Sequence, residues 1–178
     1  MYVLVGGWPG SGKSTLGRAL AAELTLAYLA KDEVKEALFA ALGEPGSVEE
    51  SQRWGRAAVH VVLSIARRCP GAVIDSTWFE YSRALVEQLP GPVVEVRTVV
   101  LLEVVRERYR RRAVGRASGH LDLQRDEDEL WARPVEPLGV GPLVEVDTSG
   151  EVDVADVAER VRRAAESVVA QSSDGGVQ

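Results

Sequence analysis

Short apolar runs and stretches of helical period alternate along the whole chain. Tyr2-Val3-Leu4-Val5 is an unbroken apolar run that meets a glycine cluster, as a strand covered on both faces does. From Lys13 onward Leu16, Leu20 and Leu24 recur on one helical face. Leu26 to Ala30 predicts a short second strand, and DEVKEALFAAL (32–42) a helix with Asp32 or its neighbour near the cap and Gly43 at the stop. Ser47 and Glu50 have capping-box spacing and open a long helix to about Cys69. Its inward face is expected to carry Trp54, Ala58, Val61, Val62 and Ile65. Pro70-Gly71 ends that helix, and AVIDS (72–76) is a third strand with Asp75 at its carboxyl end. A helix over about 79–89 and a strand over 93–102 follow, then the arginine-dense helix EVVRERYRRR and a polar stretch. A strand over 143–148 and a helix over about 153–170 complete the order. Strands separated by helices imply an α/β fold with a mainly parallel five-stranded sheet. The chain reads as one domain over 1–170, with a helical lid over about 104–130 and a disordered tail over 171–178.

Composition narrows the class. The chain has 178 residues, 46% hydrophobic and 27% charged, which suits one globular core. No apolar run reaches bilayer length, and residues 2–5 are too short for the apolar core of a secretory signal. Cys69, the single cysteine, cannot form an internal disulfide, so a cytoplasmic location is expected. A formal charge of −6 argues against a dedicated nucleic-acid groove. Only Lys13, Lys31 and Lys35 are lysines among the 21 basic residues, so the placement of arginines matters.

Gly7 to Ser14 satisfies G-x-x-x-x-G-K-[ST] between a predicted strand and a predicted helix, the context that marks a phosphate-binding loop. Glycines such as Gly7, Gly10 and Gly12 let successive N–H groups, Ser11 among them, point at one anion, reinforced by the helix dipole. Lys13 adds a charge for the terminal phosphates, Ser14 a hydroxyl for Mg²⁺, and Thr15 a cap or a contact to an inner phosphate. The loop is built for ATP or GTP, and the fold expected is the P-loop NTPase three-layer sandwich. No Asn-Lys-x-Asp sequence is present to read guanine as a switch GTPase does, and a remodelling ATPase carries paired acids on a larger chain.

Two acids stand at strand ends, where ligands collect in open α/β sheets. Asp75 is placed to order Mg²⁺-bound water or the acceptor, or to cap a turn. Asp32 is placed to orient a hydroxyl and take its proton late in transfer, or to cap a helix. Within the arginine helix, Glu103 can pair with Arg106, and Glu107 with Arg110 or Arg111. Arg108, Arg112 and Arg116 instead stack at i, i+4 and i+8, an unfavourable ladder unless an anion lies among them.

The chain resembles the small P-loop kinases of the nucleoside-monophosphate-kinase-like group. The loop and AKDEVKEAL are similar to the kinase domain of phage-type 5′-polynucleotide kinases, in which a G-x-P-G-S-G-K-S-T loop precedes an Asp-acid pair and a basic residue. That resemblance implies that Asp32 activates the hydroxyl, with Lys35 near the acceptor in place of the family's arginine. VIDSTW is similar to the family's Asp-Thr-Asn strand, and ERYRRR to its lid helix, which places Arg108 and Arg112 on the phosphates. The same layout recurs in zeta-toxin-like kinases and chloramphenicol phosphotransferase. Asp147-Thr148-Ser149 resembles the loop beside the nucleotide base.

The acidic surface departs from a polynucleotide kinase. Trp54, Trp78, Phe79 and Tyr81 are expected either to line an apolar acceptor pocket or to belong to the core. His120 and Asp122 either touch substrate or face solvent, and His60 shares a polar face with Arg56 and Arg67. The function expected is Mg²⁺- and ATP- or GTP-dependent phosphate transfer to a hydroxyl of a small molecule, an antibiotic included. The alternatives are a polynucleotide 5′-hydroxyl or nucleotide-sugar kinase, and a nucleotide-binding regulatory module.

Overall fold

A computed structural model of the chain describes residues 1–113, 120–121, 131 and 135–174. Five strands form one sheet: β1 (Tyr2–Gly6), β2 (Ala27–Ala30), β3 (Ala72–Asp75), β4 (Val93–Val99) and β5 (Leu143–Asp147). Their order across the sheet is β2-β3-β1-β4-β5, and every pairing is parallel. The helices are α1 (Lys13–Leu24), α2 (Lys31–Leu42), α3 (Val48–Ala66), α4 (Arg83–Val86), α5 (Leu102–Ala113) and α6 (Val154–Asp174).

Strand alternation produces the three layers. Val3 and Val5 point to one face with Val73, Val94, Val96, Val144 and Val146, where Leu16 and Leu20 of α1 and Val157 and Val161 of α6 cover them. Tyr2, Leu4 and Ile74 point to the other face, against Val59, Val62, Leu63 and Ala66 of α3 and Val86 of α4. Because β1 lies at the centre, both of its faces are covered, which accounts for its unbroken apolar run. Among the described residues, no helix is long and apolar enough to cross a membrane.

Several boundaries differ from the sequence expectation. The predicted helix over 79–89 is a 3₁₀ turn at Glu80–Ser82 followed by the single-turn α4. β4 stops at Val99 because Leu102 already opens α5. α6 continues to Asp174, past the expected helix end at about 170, and residues 175–178 of the expected tail lie outside the described residues. Most of the expected lid beyond Ala113, with Arg116 and Asp122, also lies outside them.

The face of α3 needs correction. Ser51, Ala58, Val59, Val62, Leu63 and Ala66 are buried, whereas Val61 and Ile65 are exposed. Its cap is as expected: the Glu50 N–H donates to Ser47 Oγ at 3.1 Å, and Glu50 Oε2 accepts from the Gly46 N–H at 2.8 Å.

One buried acid ties the return to β5 onto the sheet. Glu95, in β4, is 4% exposed, and its carboxylate accepts the N–H groups of Leu138 at 2.6 Å and Val140 at 2.8 Å. Glu95→Ala leaves both amides without that partner. We expect it to lower unfolding free energy by about 2–4 kcal/mol in urea titration. A change under about 0.5 kcal/mol, the range of an ordinary surface substitution, would contradict this account.

Candidate active site

Strand register sets the site. Val5 and Ala30 are both level with Asp75, and Val99 is level with Asp147, so the residues after these strands emerge along one edge. At that edge β1 runs into the glycine loop, which passes directly into α1.

The loop is held by neighbours that need its missing side chains. A Cβ at Gly7 would fall on the Thr98 hydroxyl. One at Gly10, where φ is +90°, would lie 3.0 Å from the Val105 carbonyl oxygen and 3.2 Å from the Tyr109 nitrogen. Thr98 donates to the Gly6 carbonyl at 3.0 Å and shares a 2.6 Å hydrogen bond with Ser11 Oγ. The Thr148 hydroxyl donates to the Ser11 carbonyl at 2.6 Å. The Trp8 carbonyl accepts from the Ser11 N–H at 3.1 Å and from Lys13 Nζ at 3.4 Å. Ser14 stands half-buried and Thr15 exposed at the start of α1.

Lys13 is the charge at the centre. It is only 7% exposed, and burial pulls its pKa below the usual lysine value. Asp75 and then Asp32 oppose that shift, while Arg112 and Lys31 add to it. Four of the predicted residues, Lys13, Asp32, Asp75 and Arg112, therefore share one electrostatic field.

Asp75 is 5% exposed; its Oδ2 accepts from the Tyr28 hydroxyl at 2.8 Å. Its other oxygen is buried without a hydrogen-bond partner among the described residues. Burial and the Asp75 carboxylate both push the Tyr28 pKa up, so the phenol stays a donor. Asp32 does not cap its helix. Ala30 occupies the cap position, α2 opens at Lys31, and Asp32 sits in the first turn with an oxygen 2.7 Å from Lys31 Nζ.

The two lid arginines differ in their contacts. The half-buried Arg108 spends its guanidinium on the carbonyls of Thr148 at 3.0 Å and Ser149 at 3.2 Å. In that position it clamps the loop after β5. Arg112 is exposed and within the field of Lys13. Arg106, expected in a surface pair with Glu103, lies 5.9 Å from the Trp131 ring. Trp131 packs against Trp8 and Tyr109, which ties α5 to the phosphate loop. After β5, hydrogen bonds to Asp147 from the Ser149 hydroxyl and then from the Ser149 N–H, the latter at 2.8 Å, hold that carboxyl below its ordinary pKa.

A second group gathers where α2 meets α3. Lys35 is 2% exposed; its Nζ donates to Ser51 Oγ at 2.6 Å and lies 5.4 Å from the Phe39 ring. Phe39 also meets Trp54 at 5.7 Å and His120 at 5.3 Å. His120 is buried, not solvent-facing, and its Nε2 lies 2.8 Å from Glu36 Oε1. Trp78 belongs elsewhere. It is buried in the core with its indole donating to the Val5 carbonyl at 3.2 Å, so its expected place in an acceptor pocket is withdrawn. Phe79 and Tyr81 stack on each other at the exposed surface.

Sequence reasoning missed Tyr28, Thr98, Trp8 and Glu36. For Tyr28 and Thr98 a signal existed: each is a polar side chain near the carboxyl end of a strand. Glu36 became recognisable only once His120 was placed against α2.

The profile of a family described as AAA domain matches residues 3–130, and the chain belongs to that family. An uncharacterized protein of Mycobacterium tuberculosis is 33% identical over 135 residues, 67% of this chain. The chain spans about a quarter of the length of the curated relatives it matches, since 26% of that relative is covered. Among solved structures, a kinase candidate from Chloroflexus aurantiacus superposes with a TM-score of 0.78 at 28% identity, covering 92% of this chain and 97% of that one. A gluconokinase from Sinorhizobium meliloti superposes with a TM-score of 0.62 at 22% identity, covering 96% and 97%. Kti12 from Chaetomium thermophilum, solved with ADP-AlF3, gives 0.65 at 19% identity, covering 93% and 99%. The last two likenesses establish the fold alone.

The Arg108 clamp can be tested directly. Arg108→Ala should lower stability by about 1–2 kcal/mol and speed amide exchange at Thr148, whose N–H now bonds Val99 at 3.0 Å. Unchanged exchange at Thr148 would show that the loop is held without Arg108.

Proposed function

We propose that this member of the family is a kinase that moves the terminal phosphate of ATP or GTP to a hydroxyl of a small molecule. The observation that carries the reading is the setting of Lys13: a buried lysine at the phosphate loop, with Asp75, Asp32 and Arg112 in its field. An incoming triphosphate adds negative charge beside Lys13 and so raises its pKa, which stabilises the ammonium form that binding needs. The same fold serves a gluconokinase, so a small hydroxylated acceptor is within the reach of this architecture. An antibiotic is one such acceptor.

Among the described residues no group of three or more His, Cys, Asp or Glu could hold a metal. Nucleotide-bound Mg²⁺ is generally held through one or two protein oxygens, water and phosphates. Ser14 and the unpartnered oxygen of Asp75 are the groups that would hold it, Asp75 through water. When bound, Mg²⁺ neutralises charge on the transferring phosphate.

The chain's own residues supply positioning. The loop amides and Lys13 hold the phosphates, and Arg112 approaches from α5. Asp32 orients the acceptor hydroxyl and takes its proton late, a role that the likeness of AKDEVKEAL to polynucleotide kinases supports. With the cap position filled by Ala30, the helix-capping alternative for Asp32 falls away. Lys35, Trp54 and His120 line the acceptor side in this reading, and Asp147 and Thr148 the nucleotide side. The acidic chain, at −6, favours a small acceptor over a nucleic-acid end.

The proposal is tested by ADP release with a panel of polyols, sugar acids and aminocyclitol antibiotics. Lys13→Ala should slow transfer on the order of 10²–10³-fold and weaken nucleotide binding. Near-normal turnover in that variant would remove the phosphate-loop assignment.

Asp32→Asn separates chemistry from structure. It should melt close to the parent, keep nucleotide binding, and lose roughly 10²–10⁴ in transfer rate. Full activity in the folded variant would move the proton-accepting role to another carboxylate.

A further inference from the structure

The Tyr28 hydroxyl has no part in the phosphate loop or the acceptor side, yet it is bound to the carboxylate nearest the loop. Tyr28 reaches Asp75 from β2 across the sheet face that α1 covers. Several features fix the ring there. Gly17 of α1 leaves room for it, since a Cβ at that position would lie 3.1 Å from Tyr28 Cε2. The Arg18 guanidinium lies 5.0 Å from the ring centroid, and Arg18 is itself held by Glu33 at 2.7 Å. The ring is thus held from the helix side while its hydroxyl is aimed at one carboxylate oxygen.

We infer that Tyr28 is a positioning residue: by occupying Asp75 Oδ2 it fixes the carboxylate so that the buried, unpartnered Oδ1 serves the divalent cation of the nucleotide. A carboxylate has two equivalent oxygens and rotates about its Cβ–Cγ bond. A hydrogen bond to one oxygen leaves a single orientation for the other and lowers the ordering cost when a cation or its water arrives. Outer partners of this kind set metal affinity by about 10–100-fold where they have been removed from other sites. The inference rests on the kinase reading only in taking a Mg²⁺–nucleotide as the ligand, not in requiring an acceptor.

Tyr28→Phe keeps the ring, its packing on Gly17 and its contact with Arg18, and removes only the donor. The probe is fluorescent mant-ADP titrated onto the full chain, first in EDTA and then over a range of MgCl2. We expect Mg²⁺-free affinity within about twofold of the parent and a half-saturating Mg²⁺ concentration raised roughly tenfold. In an Asp75→Asn background the added Tyr28→Phe change should have no further effect on the Mg²⁺ dependence, because the carboxylate it orients is gone. That non-additivity is a result a merely structural tyrosine would not give. An unchanged Mg²⁺ dependence overturns the inference, and so does an equal penalty without Mg²⁺ or an undiminished effect in the Asp75→Asn background. A chain that shows the Tyr28 shift yet phosphorylates no hydroxyl supports the inference and overturns only the transferase reading.

Discussion

Backbone has to lie against backbone where β1 turns into α1, and the rest of the site follows from that close approach. Gly7 sits under Thr98 and Gly10 sits against the start of α5, each at a distance no side chain would allow. The loop is therefore fixed by β4, α5 and Thr148, with Ser11 and Trp8 as the loop side chains that take part. An anion nest works only if its amides are already aimed before the ligand arrives, because reorienting them costs the free energy that binding should provide. The packing that leaves no room for side chains at Gly7 and Gly10 is the same packing that holds the loop amides in place.

That arrangement buries a lysine, which creates the second requirement. Desolvation disfavours the Lys13 ammonium, so acids must stand close enough to restore it. Asp75 and Asp32 meet that need, and they come from adjacent strand ends because β2 and β3 are neighbours in the sheet. Strand order and electrostatics are thus one constraint. A different neighbour for β3 would leave Lys13 with a single acid. Tyr28 extends the same logic by one step, since it rides on the strand that delivers Asp32 and holds the acid delivered by the next.

The layers were legible in the sequence because parallel strands covered on both faces produce short apolar runs, as 2–5 and 72–74 show. The phase of α3 was not. Residues 57–66 are apolar at nearly every position, so periodicity barely distinguishes one face from another, and anchoring the count on Trp54 chose the wrong one. Trp54 turns toward α2 and Phe39, while the sheet-facing row runs through Ala58, Val62, Leu63 and Ala66. The glycine loop and the acids at strand ends were legible because topology alone assigns them to one edge. The clamp made by Arg108 was not legible, because the spacing argument counts charges on its own helix and cannot see the carbonyls of the loop after β5. The partners of His120 and Trp78 were illegible for the same reason: Glu36 and the Val5 carbonyl are distant in sequence.

What remains is a division of the site into two sides joined by one segment of chain. Tyr109 of α5 packs with Trp131 beside the phosphate loop, on the side where Arg108 holds the loop after β5. His120, later in the same segment, is docked on α2 against Glu36 and Phe39, on the side where Lys35 and Trp54 lie. A kinase that transfers phosphate to a small alcohol must exclude water from the transferring group, since water is itself an alcohol-like acceptor. In the proposed reading, the cluster where α2 meets α3 is where acceptor binding would be coupled to that exclusion. The aromatic packing at one end and the histidine–carboxylate contact at the other differ in kind. The first is packing between rings and the second a polar contact, so in the proposed reading the α2 cluster is the one that can answer to polar groups on an acceptor.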